Sequence, residues 1–551
     1  MDRGQALDGI LFAEMINGGA ANLKAHVKEV NDLNVFPIPD GDTGDNMLLT
    51  VMGGTGYDKQ EISSISNMME KISAGMLLSA RGNSGVILSQ FFEGIKNGFS
   101  GVDVADATSL AYAFEMGVKQ AYGSVMIPTE GTILTVMREA TEYAKSRNSN
   151  TLIDFFNDFI EESKRSLEKT PELLPVLKKA GVIDSGGAGF IYIIEGMKMV
   201  LLGEKLDDVS EKSEKTNDEI DLDAFNADSV LEFGYCTELL VRLQNAKTDI
   251  GTFNVNDVTG YLSTIGDSIV AVQNGSVLKI HVHTFTPHKV LAFCQTYGEF
   301  LKVKIENMSL QHNSIDSPDS NKKTEKSNTP HRNFGFIAVA SGAGIKKMLE
   351  DVGVNYIIDG GQSMNPSTED FISAFDSVNA DTIFVYPNNS NIVLTAKQAA
   401  ALYTKSDIRV IESKTIGSGY ASLSMLDTSS NNADIIESEL KDAMEGVVTV
   451  EISHCVRDAN MDGKEIKKGD FIGFIGKELL SVNKDRYTVA CEAIDNADFN
   501  NYNVCIMICG KDADALEAGR IESYLCSKYR DKEVYVIDGQ QDVYDYILIL
   551  E

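Results

Sequence analysis

Between Asn34 and Met47 the chain reads Asn-Val-Phe-Pro-Ile-Pro-Asp-Gly-Asp-Thr-Gly-Asp-Asn-Met, which packs the carboxylates Asp40, Asp42 and Asp45 into one short loop. Carboxylates this close repel one another and call for a cation between them. An all-oxygen donor set favours a hard divalent ion, Mg²⁺ or Ca²⁺. A calcium-binding EF-hand loop does not fit. Counted from Asp40, its sixth position is Asp45 in place of glycine and its twelfth is Val51 in place of glutamate. The bland alternative is a polar turn in which Asp45 caps the following helix. A cap needs one aspartate, and this loop carries three.

Three further glycine-rich loops lie in the same stretch of chain. Ser79-Ala-Arg81-Gly-Asn83-Ser84-Gly85 leads into an apolar run, Pro128-Thr-Glu130-Gly131-Thr132 opens another, and Asp184-Ser-Gly186-Gly187-Ala-Gly189 a third. Backbone N–H groups at a helix N-terminus, with Ser and Asn side chains beside them, bind phosphate oxygens. Glycine at a helix end is usually structural, so each loop alone says little. Four such loops in one domain, one of them ready for a metal, point to a Mg–nucleotide site assembled from interhelical loops. Neither a G-x-x-x-x-G-K-[ST] phosphate loop nor the glycine-rich loop of protein kinases is present.

A separate constellation follows further on. His281-Val-His283 lies on an expected strand, so the two imidazoles fall on one face and could share an ion. Cys236 sits in another strand-like run. One Cys and two His make a zinc set with an open fourth position. Two solvated histidines and a buried cysteine would give the same sequence, with His288 a bystander on the next helix. Cys505-Ile-Met-Ile-Cys509 is too apolar and too widely spaced for a redox pair and reads as core strand. His454-Cys455 reads as structural, and the Gly342/Gly344 pair is weak ground for a nucleotide.

The elements that must position these residues divide into three blocks. Polar, low-complexity stretches from about Gly203 to Asn226 and from about Gln311 to Asn333 read as linkers. They leave domains at 1–203, 227–310 and 334–551. The first reads as all helix, with Leu7, Ile10, Leu11 and Met15, and Val86, Ile87, Phe91 and Ile95, at helical spacing. The second reads as a small α+β domain in which Asn274-Gly275 turns a hairpin. The third alternates strands and helices as a parallel sheet requires, with a second lobe from about Ile435.

Composition narrows the function. The chain has 551 residues, 43% hydrophobic and 24% charged, with a net charge of −32. Nucleic acid and anionic membrane are repelled by such a chain. Its longest mid-chain apolar stretch, Ile191 to Leu202, is interrupted by Glu195 and Lys198 and is too short to span a bilayer. No signal peptide is readable, and seven scattered cysteines suit a reducing cytoplasm.

The same motifs resemble a known family. Asn-Val-Phe-Pro-Ile-Pro-Asp-Gly-Asp-Thr-Gly, Ala-Arg-Gly-Asn-Ser-Gly-Val-Ile, Glu-Gly-Thr-Ile-Leu-Thr-Val and Asp-Ser-Gly-Gly are similar to the nucleotide-binding domain of dihydroxyacetone kinases. They resemble more closely the ATP-binding subunit of bacterial fatty acid kinase, which works with a separate fatty-acid-binding protein. Gly360-Gly-Gln362-Ser-Met-Asn365-Pro-Ser-Thr368 and Pro387-Asn-Asn389-Ser-Asn-Ile resemble that kinase's C-terminal domain, of DegV-like fold.

The resemblance implies a multidomain chain: an all-α eight-helix barrel, a small α+β middle domain and an α/β DegV-like domain of two lobes. It implies ATP held by Mg²⁺ ions, two of them, on Asp40 and Asp42. Asn34 lies near a third metal position. Asp45 departs from the small residue expected there. Asn83, Ser84 and Gly85 fall in the phosphate loop. Gly131, Thr132 and Asp184 match the nucleoside side, and Thr43 and Asn46 flank the metal loop. Cys236, His281 and His283 match a Zn²⁺ site, here counted with the two aspartates as catalytic. The implied reaction transfers phosphate from ATP to a fatty acid carboxylate on a DegV-type partner. A small-substrate kinase acting on dihydroxyacetone, or a non-enzymatic lipid-binding scaffold, are the rivals. A homodimer is left open.

Overall fold

The computed structural model of the chain describes residues 4–34, 41–57, 64–204, 235–248, 253–274, 276–307, 331–361, 365–426, 428, 430–455, 459–461, 464–476 and 478–551. The chain folds into two compact units. Met1–Lys212 and Asn328–Glu551 pack together as one, and Ser213–Ser327 forms the other. Most of both expected linkers lies outside the described residues.

The first block is helical throughout. Its helices are α1 Gly9–Leu33, α2 Thr43–Met52, α3 Ile65–Ser79, α4 Gly82–Gly98, α5 Ala107–Gly123, α6 Ile133–Ser146, α7 Leu152–Leu173, α8 Pro175–Ala180 and α9 Ser185–Leu201. That is nine among the described residues, against the expected eight. The additional one is α8, six residues long, started by Pro175 in its first turn and closed by Gly181 at φ +69°. Proline fits the first turn because its missing N–H would be unpaired there anyway, and glycine takes the left-handed cap.

The helices bury one common core. Phe91 is fully buried and meets Phe92, Phe114 and Phe190 edge-on at 5.7, 5.5 and 5.3 Å. Edge-on rings place the positive rim of one against the negative face of the next. Helices α4 and α5 approach almost backbone to backbone, because a Cβ on Gly98 would lie 2.5 Å from Ala113 Cα.

The unit Ser213–Ser327 holds strands β1 Tyr235–Leu243, β2 Asp267–Asn274, β3 Val277–Thr284 and β4 Gly298–Asn307, with helices α10 Val255–Leu262 and α11 Pro287–Cys294. The sheet order is β2-β3-β1-β4, antiparallel throughout. The expected hairpin forms, but its last pair is Asn274 with Val277. Asn274 therefore belongs to the strand.

In the third block, β5 Arg332–Ala340, β6 Tyr356–Asp359, β7 Ala380–Tyr386 and β8 Asp407–Val410 make a parallel sheet in the order β6-β5-β7-β8. Helices α12 Ala343–Asp351, α13 Thr368–Ser377 and α14 Val393–Leu402 connect them. The last six residues of β5 are all buried, as a strand covered on both faces must be.

Helices α15 Ile416–Ser424 and α16 Ala433–Asp442 lead to the second lobe. Its strands are β9 Val448–His454, the short pair β10 Ala459–Met461 and β11 Lys464–Ile466, then β12 Phe471–Ile475, β13 Glu478–Asn483, β14 Val504–Cys509, β15 Glu533–Asp538 and β16 Tyr546–Leu550. The main sheet runs β13-β12-β9-β16-β14-β15, and only the β14–β15 pair is parallel. Cys505 and Cys509 are buried thiols in β14, as expected of a core strand.

Candidate functional site

Four helices of the first block begin side by side, and their starts are the four glycine-rich loops. Thr43, at the head of α2, has its hydroxyl 3.4 Å from that of Ser185, at the head of α9. Asp184, just before α9, accepts from Gly187 N–H at 2.7 Å and from the N–H of Ile133, which starts α6. At the head of α4, a Cβ on Gly82 would come 2.9 Å from Asn46 Nδ2 in α2. The N-termini thus follow one another in the order α4, α2, α9, α6. Each carries first-turn N–H groups with no partner inside its own helix and the positive end of a helix dipole, so together they favour a polyanion.

The sequence places Asp45 as the possible cap of α2, and the structure places Asp42 there instead. Asp42 stands at the N-cap position but makes no capping bond. Its carboxylate is hydrogen-bonded by the Asn46 side chain and accepts from Asn365 Nδ2 at 2.6 Å. Burial pushes its pKa above the usual carboxylate range, the nearby Asp45 charge adds to this, and the two amides oppose it. Exposed Asp45 instead takes the amide of Asn31, at 2.7 Å, while Asn31 Oδ1 accepts from Gly44 N–H at 2.7 Å. Asn31, one turn from the end of α1, therefore fixes the first turn of α2. Asn34 caps α1, its N–H donating to Asn31 O at 3.1 Å. Asp40 lies outside the described residues.

The remaining loop residues have local tasks as well. Gly131 holds φ +82° and donates to Thr135 Oγ1 at 2.8 Å. Thr132 stands at the start of α6 with its hydroxyl on Thr129 O at 2.7 Å. Burial raises Asp184 to a pKa of about 6, against the two N–H bonds it accepts. Gly82 is left-handed at φ +57°, which starts α4 close against Asn46. Gly85 must lack a Cβ because Thr50 Oγ1 fills the space. Asn83 and Ser84 stand in the first turn of α4, and Asn83 Nδ2 reaches Asn391 Oδ1 at 3.5 Å.

That last contact belongs to a seam the sequence does not announce. The loop before α13 lies against the loop before α4. Arg81 and Ser367 form an isolated antiparallel bridge, and Thr368 N–H donates to Ala80 O at 3.2 Å. Arg81 Nη1 donates to Asn365 O at 2.7 Å, and Arg81 Nη2 lies 3.7 Å from Asp370. Further along, Gln398 Nε2 in α14 donates to Leu77 O at 2.8 Å, and Gln90 Nε2 donates to Gln398 Oε1 at 2.9 Å.

The second constellation is placed by strand register. Cys236 in β1 pairs directly with His283 in β3, and His281 pairs with Glu238. Leu278, Ile280 and Val282 are buried and alternate with the two histidines along β3. In β1, Thr237, Leu239 and Val241 are buried, out of step with position 236. The three candidates thus share one register phase. The distance in sequence between Cys236 and the histidines is closed by the sheet. Among the described residues, no group of three or more His, Cys, Asp and Glu is gathered as a metal site. Neither Asp40 nor the side chains of Cys236, His281 and His283 are among what is described.

No described helix is long and apolar enough to cross a membrane. Comparison with known proteins finds three family matches along the chain. Residues 37–199 match the DAK2 domain, 232–315 the middle domain of the FakA-like fatty acid kinase proteins, and 335–551 their C-terminal domain. Protein YloV of Bacillus subtilis (strain 168) is 38% identical, over 99% of this chain and all of the relative. An uncharacterised protein of Staphylococcus saprophyticus is 36% identical over 99% of both. Among solved structures, DegV, a fatty acid binding protein from Bacillus subtilis, covers 40% of this chain and 99% of its own at 11% identity and TM-score 0.30. The Streptococcus pneumoniae fatty acid kinase B3 protein loaded with linoleic acid covers the same shares at 11% identity and TM-score 0.28. A full-length relative and three domain matches in this order show that the chain belongs to the FakA-like fatty acid kinase family, a family of kinase-type enzymes.

Proposed function

We propose that the chain is the cytoplasmic, ATP-dependent catalytic component of a fatty acid kinase. It transfers the γ-phosphoryl group of ATP to the carboxylate of a fatty acid carried by a separate DegV-type protein, giving ADP and acyl phosphate. The observation that supports this best is the meeting of four helix N-termini beside Asp42. In this reading the N–H groups at the heads of α4 and α2, with Asn83, Ser84 and Thr43, bind the phosphates. Thr132 and Asp184 border the nucleoside, and Asp40, Asp42 and Asn34 hold Mg²⁺. The donor set fits the ion, since Asp42 offers carboxylate oxygens and the Oδ1 atoms of Asn83 and Asn365 are buried without a partner. Bound there, Mg²⁺ would neutralise charge on the transferring phosphoryl group. A carboxylate acceptor is ionised at neutral pH, so the site needs no strong base.

Cys236, His281 and His283 would hold Zn²⁺ with an open position for an acyl carboxylate or phosphoryl oxygen. Their shared register row is what supports this.

One cavity of the C-terminal domain, between Ser341, Asn388, Asn389, Glu451 and Gln541, has a volume of ≈ 40 Å³. At roughly 10–15 Å³ per water, this takes about three waters. A cavity of this size favours a carried substrate over a lipid-binding scaffold. The deciding experiment is an ATP-dependent transfer assay with candidate fatty-acid-binding proteins added one at a time. Acyl phosphate formed only with both proteins present supports the reading. Turnover of free dihydroxyacetone, or stoichiometric fatty acid extracted from the chain alone, would refute it.

A further inference from the structure

The nucleotide site just described draws one side chain from the far end of the chain. We propose that Asn365 of the C-terminal domain is a working part of that site: its Nδ2 orients Asp42, and its Oδ1, with Asn83 Oδ1, supplies oxygen to the cation that accompanies the nucleotide. The proposal rests on the reading of this site as the Mg–nucleotide site.

Asp42 can only accept hydrogen bonds when ionised, so the contact at 2.6 Å fixes Nδ2 toward it and turns Oδ1 the other way. That oxygen is buried and has no hydrogen-bond partner, in a residue only 4% exposed. Asn83 Oδ1, in the first turn of α4, is also buried without a partner. A buried amide oxygen without a donor is costly, and one on a residue bonded to the Asp42 carboxylate calls for a positive charge. Asn365 is also held from behind, by Arg81 Nη1 on its carbonyl. Gly82 leaves room for it, since a Cβ there would lie 3.4 Å from Asn365 Nδ2.

A plain clasp between domains would look different, and the same seam contains one. Gln398 uses both ends of its amide: Nε2 donates to Leu77 O at 2.8 Å and to Thr368 Oγ1 at 3.1 Å, and Oε1 accepts from Gln90 at 2.9 Å. Asn365 uses one end only, Nδ2 on Asp42, and leaves Oδ1 buried without a partner.

The test compares Asn365→Ala and Gln398→Ala in the full chain by titrating Mg²⁺ against ATP binding. Loss of an outer partner of a metal ligand typically weakens metal affinity about tenfold or more. Asn365→Ala should therefore raise the half-saturating Mg²⁺ concentration about tenfold. Gln398→Ala should leave the Mg²⁺ dependence at the wild-type value, whatever it does to the melting temperature. Asn365→Gln, which keeps the amide but displaces it, serves if the alanine variant does not fold and should show the same shift. A wild-type Mg²⁺ dependence in the Asn365 variants, or an equal shift in Gln398→Ala, overturns the proposal. Asp42→Ala separates the two readings. If that variant keeps Mg²⁺-dependent binding, the site assignment itself is wrong. If it loses binding while the Asn365 variants do not, only the role of Asn365 falls.

Discussion

Replacing Glu451 with glutamine should stabilise the C-terminal lobe above neutral pH. Glu451 sits in β9, inside the six-stranded sheet, and is 8% exposed. Burial raises its carboxyl pKa from 4.5 to about 7, opposed by a hydrogen bond from the Tyr544 hydroxyl. Between those two values the unfolded chain has released its proton while the folded chain keeps it. Stability is therefore lost as pH rises from about 4.5 to about 7, and is constant above. At about 1.36 kcal/mol per pH unit the full loss is about 3 kcal/mol, of which about 2 kcal/mol is already present at pH 6. Glutamine keeps an acceptor for Tyr544 and carries no charge. The advantage of Glu451→Gln should then grow by about 1 kcal/mol between pH 6 and pH 8. The chain contains no tryptophan and folds as more than one unit, so a single melting curve would mix transitions. Hydrogen exchange of the β9 amides, corrected for intrinsic rates, reads the lobe directly. An advantage independent of pH, or a variant less stable at pH 8, would show that Glu451 is not held neutral by its surroundings.

Other outcomes follow from the same geometry. Asp42→Ala should weaken Mg²⁺-dependent ATP binding more than about tenfold, read by calorimetry, while changing stability by less than about 1 kcal/mol. Wild-type affinity would remove the aspartate loop from the mechanism. His283→Ala should lose about one zinc per chain and the transfer reaction yet still bind ATP; elemental analysis finding no zinc in the unmutated chain, purified without chelators, ends that idea. Gly75→Ala should cost about 2–3 kcal/mol, since its Cβ would overlap Gly53 O and lie 2.5 Å from Tyr57 Oη. A thermal midpoint equal to wild type would show that α2 and α3 can part more easily than their packing implies.

The loops of the nucleotide site are legible in the sequence because their glycines and aspartates are forced by local geometry. Gly82 and Gly131 need positive φ, and Asp184 caps a helix, so each leaves a local trace. Asn31 leaves none. It is an ordinary helical residue until α2 folds back on α1. Asn365 is visible only as one letter of a C-terminal motif, and its partner Asp42 lies 323 residues away. Periodicity reports which face of a helix is buried, never which distant loop covers its end. Cys236 shows the intermediate case, since alternation gives its face and only register gives its neighbour. The short α8 escapes a sequence reading because a proline after a long helix reads equally well as a stop and as a start.

The unit that contains the candidate nucleotide site is discontinuous, with Ser213–Ser327 threaded between its two halves. In topological terms the middle segment is an insertion. The entropy of closing such a loop rises only by about 0.6 kcal/mol for each doubling of its length. The seam between Arg81 and Asn365 therefore constrains the ends of the insert but hardly its size. Within this architecture the insert can lengthen, shorten or be exchanged with little effect on the joint. On the ribosome the order is fixed: the helical block emerges first, and the mouth of its site stays unfinished until Asn365 and α14 have been made. A nick in either connecting segment should accordingly leave the two halves of the unit associated, held by the seam rather than by the chain.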